Sequence, residues 1–280
     1  MNLFILLAQV ALPGLAPGST LGASNHAVDV QMTAPATAPT FSDEFAGSAI
    51  DRSTWWFDTS RNALGWHNNE RQYYSAARPK NARIENGALV IQAHREKLSK
   101  ARFADWGGQA YTSARLVTRR TYGYGFYEVR AKLPCGRGTW PAIWLLPASG
   151  RWPDAGEIDI MEMVGWNPNV IHATLHSAAF NHRLGTQRGA EKRVTNSCTA
   201  YVRYQLDWKD DAITIGINDR GFMRVANDQA GGAAAWPFTR PYRLILNVAV
   251  GGDWGGQRGV DNNAFPQAMH VDYVRYWQSD

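Results

Sequence analysis

Short segments in which apolar and polar residues alternate recur along most of this chain, and they constrain its fold more than any other feature. They are bounded by Gly, Pro, Asn and Asp and are rich in β-branched and aromatic residues. The clearest segments span residues 88–93, 125–133, 212–217, 242–248 and 270–277. Such alternation is typical of strands, and convincing apolar stretches with a helical period are missing. The sequence therefore predicts an all-β fold, with many short strands arranged as a β-sandwich.

The first 40 residues differ in composition from the rest. A short, mostly apolar run followed by small residues predicts a secretory signal peptide over residues 1–23. Residues 24–40, which end in MTAPATAPT, indicate a flexible linker. Residues 41–280 are left for a single catalytic domain, and we expect the protein to be secreted or periplasmic. No apolar run reaches the roughly 20 residues of a membrane helix, so a membrane-spanning mature protein is excluded.

Charge and cysteine content narrow the function further. The net charge of +5 is spread along the chain, whereas a nucleic-acid binder concentrates basic residues on one face. We therefore expect no nucleic-acid partner, and the absence of heptads predicts a monomer. Cys135 and Cys198 are too few for a zinc or iron–sulfur site. They can form a disulfide or remain free thiols, and the sequence leaves both open.

The acidic segment GEIDIMEMVG (156–165) carries the chemistry. Carboxylates that alternate with isoleucine predict a strand with Glu157 and Asp159 on one face. Under strict alternation Glu162 would point into the core, where an unpaired charge is costly. A β-bulge adds one residue and re-aims the next side chain. We therefore expect a bulge near residues 160–161 that places all three carboxylates on one surface.

Three neighbouring carboxylates repel one another, which raises at least one of their pKa values and lowers stability. Glycoside hydrolysis needs such a pair, one as nucleophile and one as acid and then base, about 5–5.5 Å apart in retaining enzymes. A calcium site and a solvated charged face are the alternatives. Calcium loops are turns rich in Gly, Asp and Asn, not strands interleaved with isoleucine. The segment favours a hydrolytic site.

This segment resembles the active-site signature of glycoside hydrolase family 16 in its bulged form, E-x-D-x-x-E. Other stretches are similar to the laminarinase branch of the family. They are FSDEF (41–45), GWHNNERQYY (65–74), YTSARL (111–116), GYGFYEVRAKLP (123–134), GTWPAIWLLP (138–147), IHATLH (171–176), LILNVAVGG (244–252) and VDYVRYWQ (271–278). The resemblance covers residues 41–278, and its motifs occur in the family's order.

The resemblance implies a concanavalin-like jelly roll of two antiparallel sheets with a concave glycan cleft. It implies Glu157 as the nucleophile and Glu162 as the acid/base. Asp159 between them would hydrogen-bond to the nucleophile and tune it. The extra residue Met161 points to laminarinases, agarases and carrageenases rather than to lichenases. No cofactor is expected to take part in the chemistry.

The resemblance also implies side chains that bind the glycan. Trp140 and Trp152 are expected to stack on sugar rings, and His176 to hydrogen-bond beside the acids. The other predicted substrate-binding residues are Trp66, Asn69, Glu70 and Arg115. Each has a structural alternative: core packing for the tryptophans and the histidine, and loop caps or salt bridges for the polar residues.

Three further positions match residues that bind a structural calcium ion in many family members. They are Glu44, the backbone carbonyl of Gly87, and Asp272. Oxygen ligands from distant segments suit the flexible coordination of calcium. The alternative is a hydrogen-bond network at the strand ends.

The expected function is a retaining endo-hydrolase of β-1,3-glucan of the laminarin type, extending to mixed 1,3/1,4 linkages. One alternative is the same mechanism on a galactan such as agar or carrageenan. Another is a non-catalytic β-glucan-binding module, although such modules typically lose the catalytic acids that this chain keeps. Residues 180–198 depart from the family pattern, so we expect them to shape the cleft and its substrate preference.

Overall fold

The computed structural model describes residues 26–279, and in this part of the chain nearly all regular structure is β-strand. The strands are β1 (Ala27–Gln31), β2 (Phe41–Asp43), β3 (Trp55–Phe57), β4 (Gln72–Tyr74), β5 (Ala82–Glu85), β6 (Ala88–Arg95), β7 (Tyr111–Ser113), β8 (Arg115–Thr118), β9 (Gly125–Lys132), β10 (Thr139–Pro147), β11 (Glu157–Glu162), β12 (Val170–His176), β13 (Arg188–Arg193), β14 (Val202–Trp208), β15 (Ala212–Ile217), β16 (Arg220–Ala226), β17 (Tyr242–Val250) and β18 (Gln267–Gln278). The predicted signal peptide, residues 1–23, lies outside the described residues.

Helical structure is confined to three short elements in the described residues. They are α1 (Gly232–Ala235) and two 3-10 helices, His67–Asn69 and Asn262–Ala264. Within residues 26–279, none of the helices is both long and apolar enough to cross a bilayer.

The strands form two sheets. The large sheet has the order β1-β16-β15-β14-β9-β18-β6-β7-β4, with β2 added beside β18 and β5 beside β6. The small sheet has the order β13-β12-β11-β10-β17-β8-β3. Pairing is antiparallel except between β4 and β7, which run parallel. The predicted β-sandwich of two antiparallel sheets is confirmed, and all five segments singled out by alternation are strands (β6, β9, β15, β17 and β18).

The core lies between the two sheets. Alternation along β9 points Tyr127 and Val129 inward, and alternation along β10 does the same for Ile143 and Leu145; all four are at most 1% exposed. Each such side chain contributes roughly 1.5–3 kcal/mol by leaving water. The intervening residues of β10 face away from the core, and this outer face of the small sheet carries the site.

The predicted flexible linker over residues 24–40 is wrong over residues 27–31. Ala27–Gln31 forms β1, which pairs with β16 and lies at the edge of the large sheet. The Met32 side chain is buried beside Trp277, whose indole N–H donates to the carbonyl of Thr37 at 2.8 Å. The error arose because the Pro- and Thr-rich stretch dominated the composition, whereas the preceding AVDVQ completes a sheet edge that would otherwise be unpaired.

Cys135 and Cys198 form a disulfide with a Cα–Cα distance of 5.8 Å. The bridge links the segment after β9 to the segment before β14, 63 residues apart in sequence. The structure thus resolves the alternative that the sequence left open.

Candidate active site

The acidic strand β11 contains the predicted bulge. On the β10 side the register shifts between Ile143 and Trp144, which leaves Ile160 without a partner. On the β12 side the register shifts between Asp159 and Glu162. One extra residue in β11 therefore lies between the second and third carboxylates, as the sequence predicted.

The bulge brings the three carboxylates to one face of the small sheet. Ile158, Ile160 and Met161 pack into the core between the sheets. The acids lie opposite every second residue of β12, and such residues share one face of a strand. The opposing pairs are Glu157 with His176, Asp159 with Thr174 and Glu162 with His172.

Two tryptophans hold the outer two carboxylates. The Trp152 indole N–H donates a hydrogen bond to Glu157, and the Trp140 indole N–H donates to Glu162 at 2.9 Å. Both tryptophans therefore lie in the site, as predicted. Each supplies a fixed donor to one acid, a role that the sequence did not indicate.

The middle carboxylate is the most deeply buried. Asp159 is 2% exposed, and His176 Nε2 lies 3.4 Å from its Oδ2. One carboxylate oxygen each of Glu157 and Asp159 and one ring nitrogen of His176 all lie within 4.8 Å of one another. His176 thus lies beside the acids, and its role in substrate binding stays a prediction.

Burial and mutual repulsion raise the pKa of each of the three acids. Burial, with the charge of Asp159, raises the pKa of Glu157 to about 8. Burial raises the pKa of Glu162 to about 7, with a contribution from the charge of Glu157 and opposition from the Trp140 hydrogen bond. The pKa of Asp159 lies well above its ordinary value because of burial and the charge of Glu162. The cluster thus retains protons at neutral pH, which an acid catalyst requires.

Glu70 and Asn69 lie on the Glu162 side of the site. Glu70 forms an isolated β-bridge with Gly251 and accepts a hydrogen bond from the Gln72 side chain at 2.7 Å. Burial raises the pKa of Glu70 to about 7. The Asn69 amide donates to Asp253 at 2.8 Å, which favours the structural alternative of a loop cap for this residue.

The structure supports the structural alternative for two predicted binding residues. Trp66 is 6% exposed and its indole N–H donates to Asn62 at 3.0 Å, which favours the alternative of core packing for this residue. Arg115 lies 3.2 Å from an Asp58 carboxylate oxygen, and its guanidinium lies over the rings of Trp66 and Trp144. The sequence could not show this, because the aromatic pattern of the loop does not reveal which face of Trp66 is covered.

Several residues at the site were missing from the predicted set. The Trp254 ring lies 5.3 Å from Trp140 and 4.8 Å from His172, in both cases edge to face. His182 and Arg183 lie beside Trp152. The last two fall in the stretch that departs from the family pattern, and no local signal distinguishes them from an ordinary polar loop.

The predicted calcium ligands have other partners. Arg275 donates to both carboxylate oxygens of Glu44, at 2.9 and 2.8 Å, and Arg130 pairs with Asp272. Gly87 lies in the turn between β5 and β6. Two guanidinium groups beside the donor oxygens do not fit a divalent cation as the side chains stand. Structural calcium stays a prediction.

Comparison with known proteins identifies the family. The family model described as Glycosyl hydrolases family 16 matches residues 69–275. The chain is 45% identical over 270 residues to a beta-glucanase of Rhodothermus marinus, which covers 92% of this chain and 91% of that protein. It is 35% identical over 259 residues to a glucan endo-1,3-beta-glucosidase of Cryptopygus antarcticus, at 84% and 90% coverage.

A solved structure has the same architecture. The fold is similar to that of SCLam, a non-specific endo-beta-1,3(4)-glucanase from family GH16, with a TM-score of 0.89 and 47% identity. The similarity covers 93% of this chain and 98% of that one.

Proposed function

The chain belongs to glycoside hydrolase family 16, and on that premise we propose that it is a retaining endo-hydrolase of β-1,3-glucan. We expect laminarin-type glucan to be its main substrate and mixed 1,3/1,4 glucans to be further substrates. One observation carries it: the bulge of β11 brings Glu157, Asp159 and Glu162 to one face, with a tryptophan donor on each outer acid. A binding module would have no use for this costly arrangement.

In the first step the Glu157 carboxylate attacks the anomeric carbon of the bound glucan. The bond from that carbon to the glycosidic oxygen breaks, and Glu162 gives its proton to the leaving oxygen. The raised pKa of Glu162, about 7, keeps a proton available for this transfer near neutral pH. The product of the step is an ester between the sugar and Glu157.

In the second step water hydrolyses this ester. Glu162, now ionised, takes a proton from the water as its oxygen bonds to the anomeric carbon, and Glu157 leaves as a carboxylate. Two displacements retain the anomeric configuration. The step needs no cofactor.

Asp159 allows Glu157 to act as an anion in spite of its burial. Asp159 lies beside Glu157, and burial and the charge of Glu162 hold the pKa of Asp159 well above its ordinary value. In the proposed reactive state Asp159 carries the proton, so Glu157 next to it is the ionised member of the pair. The Trp152 N–H donates to the Glu157 carboxylate and favours this state.

The remaining predicted residues support binding in the proposal. Trp140 and Trp152 offer aromatic surface to sugar rings, and Glu70, Asn69 and His176 offer hydrogen-bond partners to hydroxyl groups. Trp254, whose ring lies edge to face with Trp140, extends the aromatic surface on the Glu162 side.

Reducing-sugar release from laminarin, lichenan, agarose and carrageenan tests the function, with Glu157→Gln assayed in parallel. We expect release from laminarin, and a loss of at least about 1,000-fold in the variant. Activity on a galactan alone would keep the mechanism and overturn the substrate. Laminarin binding without cleavage of any substrate would favour the binding module instead.

We also propose that the protein works outside the cytoplasm and as a monomer. The Cys135–Cys198 disulfide supports export, because disulfides persist in oxidising compartments.

The proposed calcium ion is tested by measuring the Tm of the protein with and without a chelator. An unchanged Tm in excess chelator would rule out a stabilising ion held by Glu44, Gly87 and Asp272.

A further inference from the structure

The loop after β12, residues 177–187, is organised by one buried side chain. Asn181 is 2% exposed, and its amide nitrogen donates to the carbonyls of Ser177 and Ala178, both at 3.1 Å. Its amide oxygen accepts from the backbone N–H of Arg183 at 3.1 Å. The Ala179 N–H donates to the carbonyl of Ala234 in α1 at 2.8 Å. The loop therefore has a defined conformation and a fixed anchor outside itself.

The tip of this loop contacts one of the two tryptophans that hold the acids. The Arg183 guanidinium carbon lies 4.6 Å from the centre of the Trp152 ring, within the range of a cation–π contact. The His182 ring lies 5.0 Å from the Trp152 ring and 5.2 Å from the ring of His176. The Trp152 N–H in turn donates to Glu157. A continuous set of contacts thus leads from the buried Asn181 to the nucleophile.

We propose that this loop positions the nucleophile: Arg183 and His182 hold the Trp152 indole, and its N–H holds the Glu157 carboxylate in place for attack. The inference rests on the proposed function of Glu157 and adds to it. Arg183 and His182 are positioning residues, because they contact Trp152 rather than the reacting atoms.

Other charged groups also act on Glu157, so the test has to separate them. On its own strand the groups that face it are Asp159 and Glu162, on β12 His176 and on β17 Tyr242; on the loop, His182 and Arg183 reach it through Trp152. Only the last two act through the Trp152 ring. A variant of Arg183 that keeps its apolar volume therefore tests the contact with the least change elsewhere.

The first experiment compares the kinetics of Arg183→Met with those of wild type on laminarin. Cation–π contacts of this kind correspond to a 3- to 30-fold effect, and we expect kcat to fall about 3- to 10-fold with KM changed less than about twofold. Because the Trp152 hydrogen bond favours the ionised Glu157, the acidic limb of the pH profile of kcat/KM should move to higher pH. A merely structural loop would move neither the limb nor kcat selectively.

Two further variants separate the causes. Arg183→Lys keeps a cation that can lie over the ring, so it should recover part of the kcat that the methionine variant loses. A lysine variant no more active than the methionine variant would overturn the proposed cation–π contact as the cause. Arg52→Met is the matched control, because Arg52 lies 4.9 Å over Phe57, outside the site. It should leave kcat and the acidic limb unchanged.

A readout that needs no activity is the resonance of the Trp152 indole N–H in an NMR spectrum. Its absence in Trp152→Phe assigns it among the signals of the 12 tryptophans. We expect the resonance to shift away from its hydrogen-bonded position in Arg183→Met, and to shift also in Glu157→Gln, because an amide oxygen is a weaker acceptor than a carboxylate. An unchanged resonance in Arg183→Met would overturn the proposed role of the loop, whether or not the wild-type protein cleaves glucan. Failure of the wild-type protein to cleave any glucan would overturn the proposed function instead.

Discussion

Two regions of this protein each hold a glutamate beside other ionisable groups, and the pKa values of the two glutamates are shifted in opposite directions. Glu96, just after β6, accepts hydrogen bonds from Arg78 and from Lys80, the latter at 2.6 Å. Burial acts to raise the pKa of Glu96, but these bonds outweigh it and lower the pKa to about 2. On β11, burial and the neighbouring Asp159 raise the pKa of Glu157 to about 8.

The difference lies in the neighbours and not in the type of residue. Cations around Glu96 make its ionised form a source of stability at neutral pH. Around Glu157 the neighbours are two further acids and a histidine, and the hydrogen-bond donor is the uncharged indole of Trp152. The second region therefore costs stability at the pH at which it works, which is the usual compromise of a catalytic site. Neutralising each glutamate should accordingly have opposite effects on stability.

The largest stability effect is expected for Glu157→Gln at high pH. In the unfolded chain this acid ionises near its ordinary pKa of about 4.3, and in the fold near 8. Between these values the unfolded state binds fewer protons, so wild-type stability falls as pH rises, whereas glutamine stays neutral. The variant should equal wild type at pH 4 and exceed it by about 2 kcal/mol at pH 8, or roughly 4–8 °C in Tm by thermal denaturation.

Glu191→Gln on β13 is the control for this comparison. The Glu191 side chain is 60% exposed, so its substitution should change the Tm equally little at both pH values. If Glu157→Gln gained no stability at pH 8 over pH 4, the ionised nucleophile would not be disfavoured by the fold.

A smaller loss of opposite sign is expected for Glu96→Gln. The folded-state pKa of about 2 is below the unfolded value, so the stabilisation is present above about pH 4.3 and is lost as pH falls through 2. Because the cluster is partly exposed, we expect a loss of about 1 kcal/mol in the free energy of unfolding at pH 7 and none near pH 2.

Glu85→Gln is the matched control for Glu96. Glu85 forms a 2.6 Å pair with Arg83, but its side chain is 43% exposed and no second cation pairs with it among residues 26–279. Its substitution should cost less than about 0.5 kcal/mol at pH 7. Equal losses in the two variants would mean that the second cation and the partial burial of Glu96 add nothing.

The two regions also show what the sequence could predict. The carboxylates of β11 and their bulge follow from local alternation and from the cost of burying Glu162, so they were predictable. The pairing of Arg78 and Lys80 with Glu96 depends on segments that meet only in the fold. The same holds for β1, whose partner strand is nearly 200 residues away, and for the burial of Trp66. The sequence predicts features that depend on the pattern within one strand, but not contacts between segments that are distant in sequence.

The finest test concerns the other tryptophan donor of the catalytic site. The Trp140 hydrogen bond to Glu162 lowers the pKa of that acid against the effect of burial. Trp140→Phe keeps an aromatic ring but removes the donor, so Glu162 should stay protonated to higher pH. We expect the basic limb of kcat/KM, which reports the free enzyme, to move up by about half a pH unit.

Trp144→Phe is the control. Trp144 lies four residues after Trp140 on β10, and its indole N–H donates to the neutral Asn247 at 2.7 Å. Its basic limb should coincide with that of wild type. A shift in Trp140→Phe alone would assign the basic limb to Glu162 and show that a single neutral donor tunes the acid. If neither variant moved the limb, its titrating group would be another one, and the role of Glu162 as acid would lose its support. The contrast with Glu96 would then rest on burial and on the neighbouring acids, and not on the indole donors.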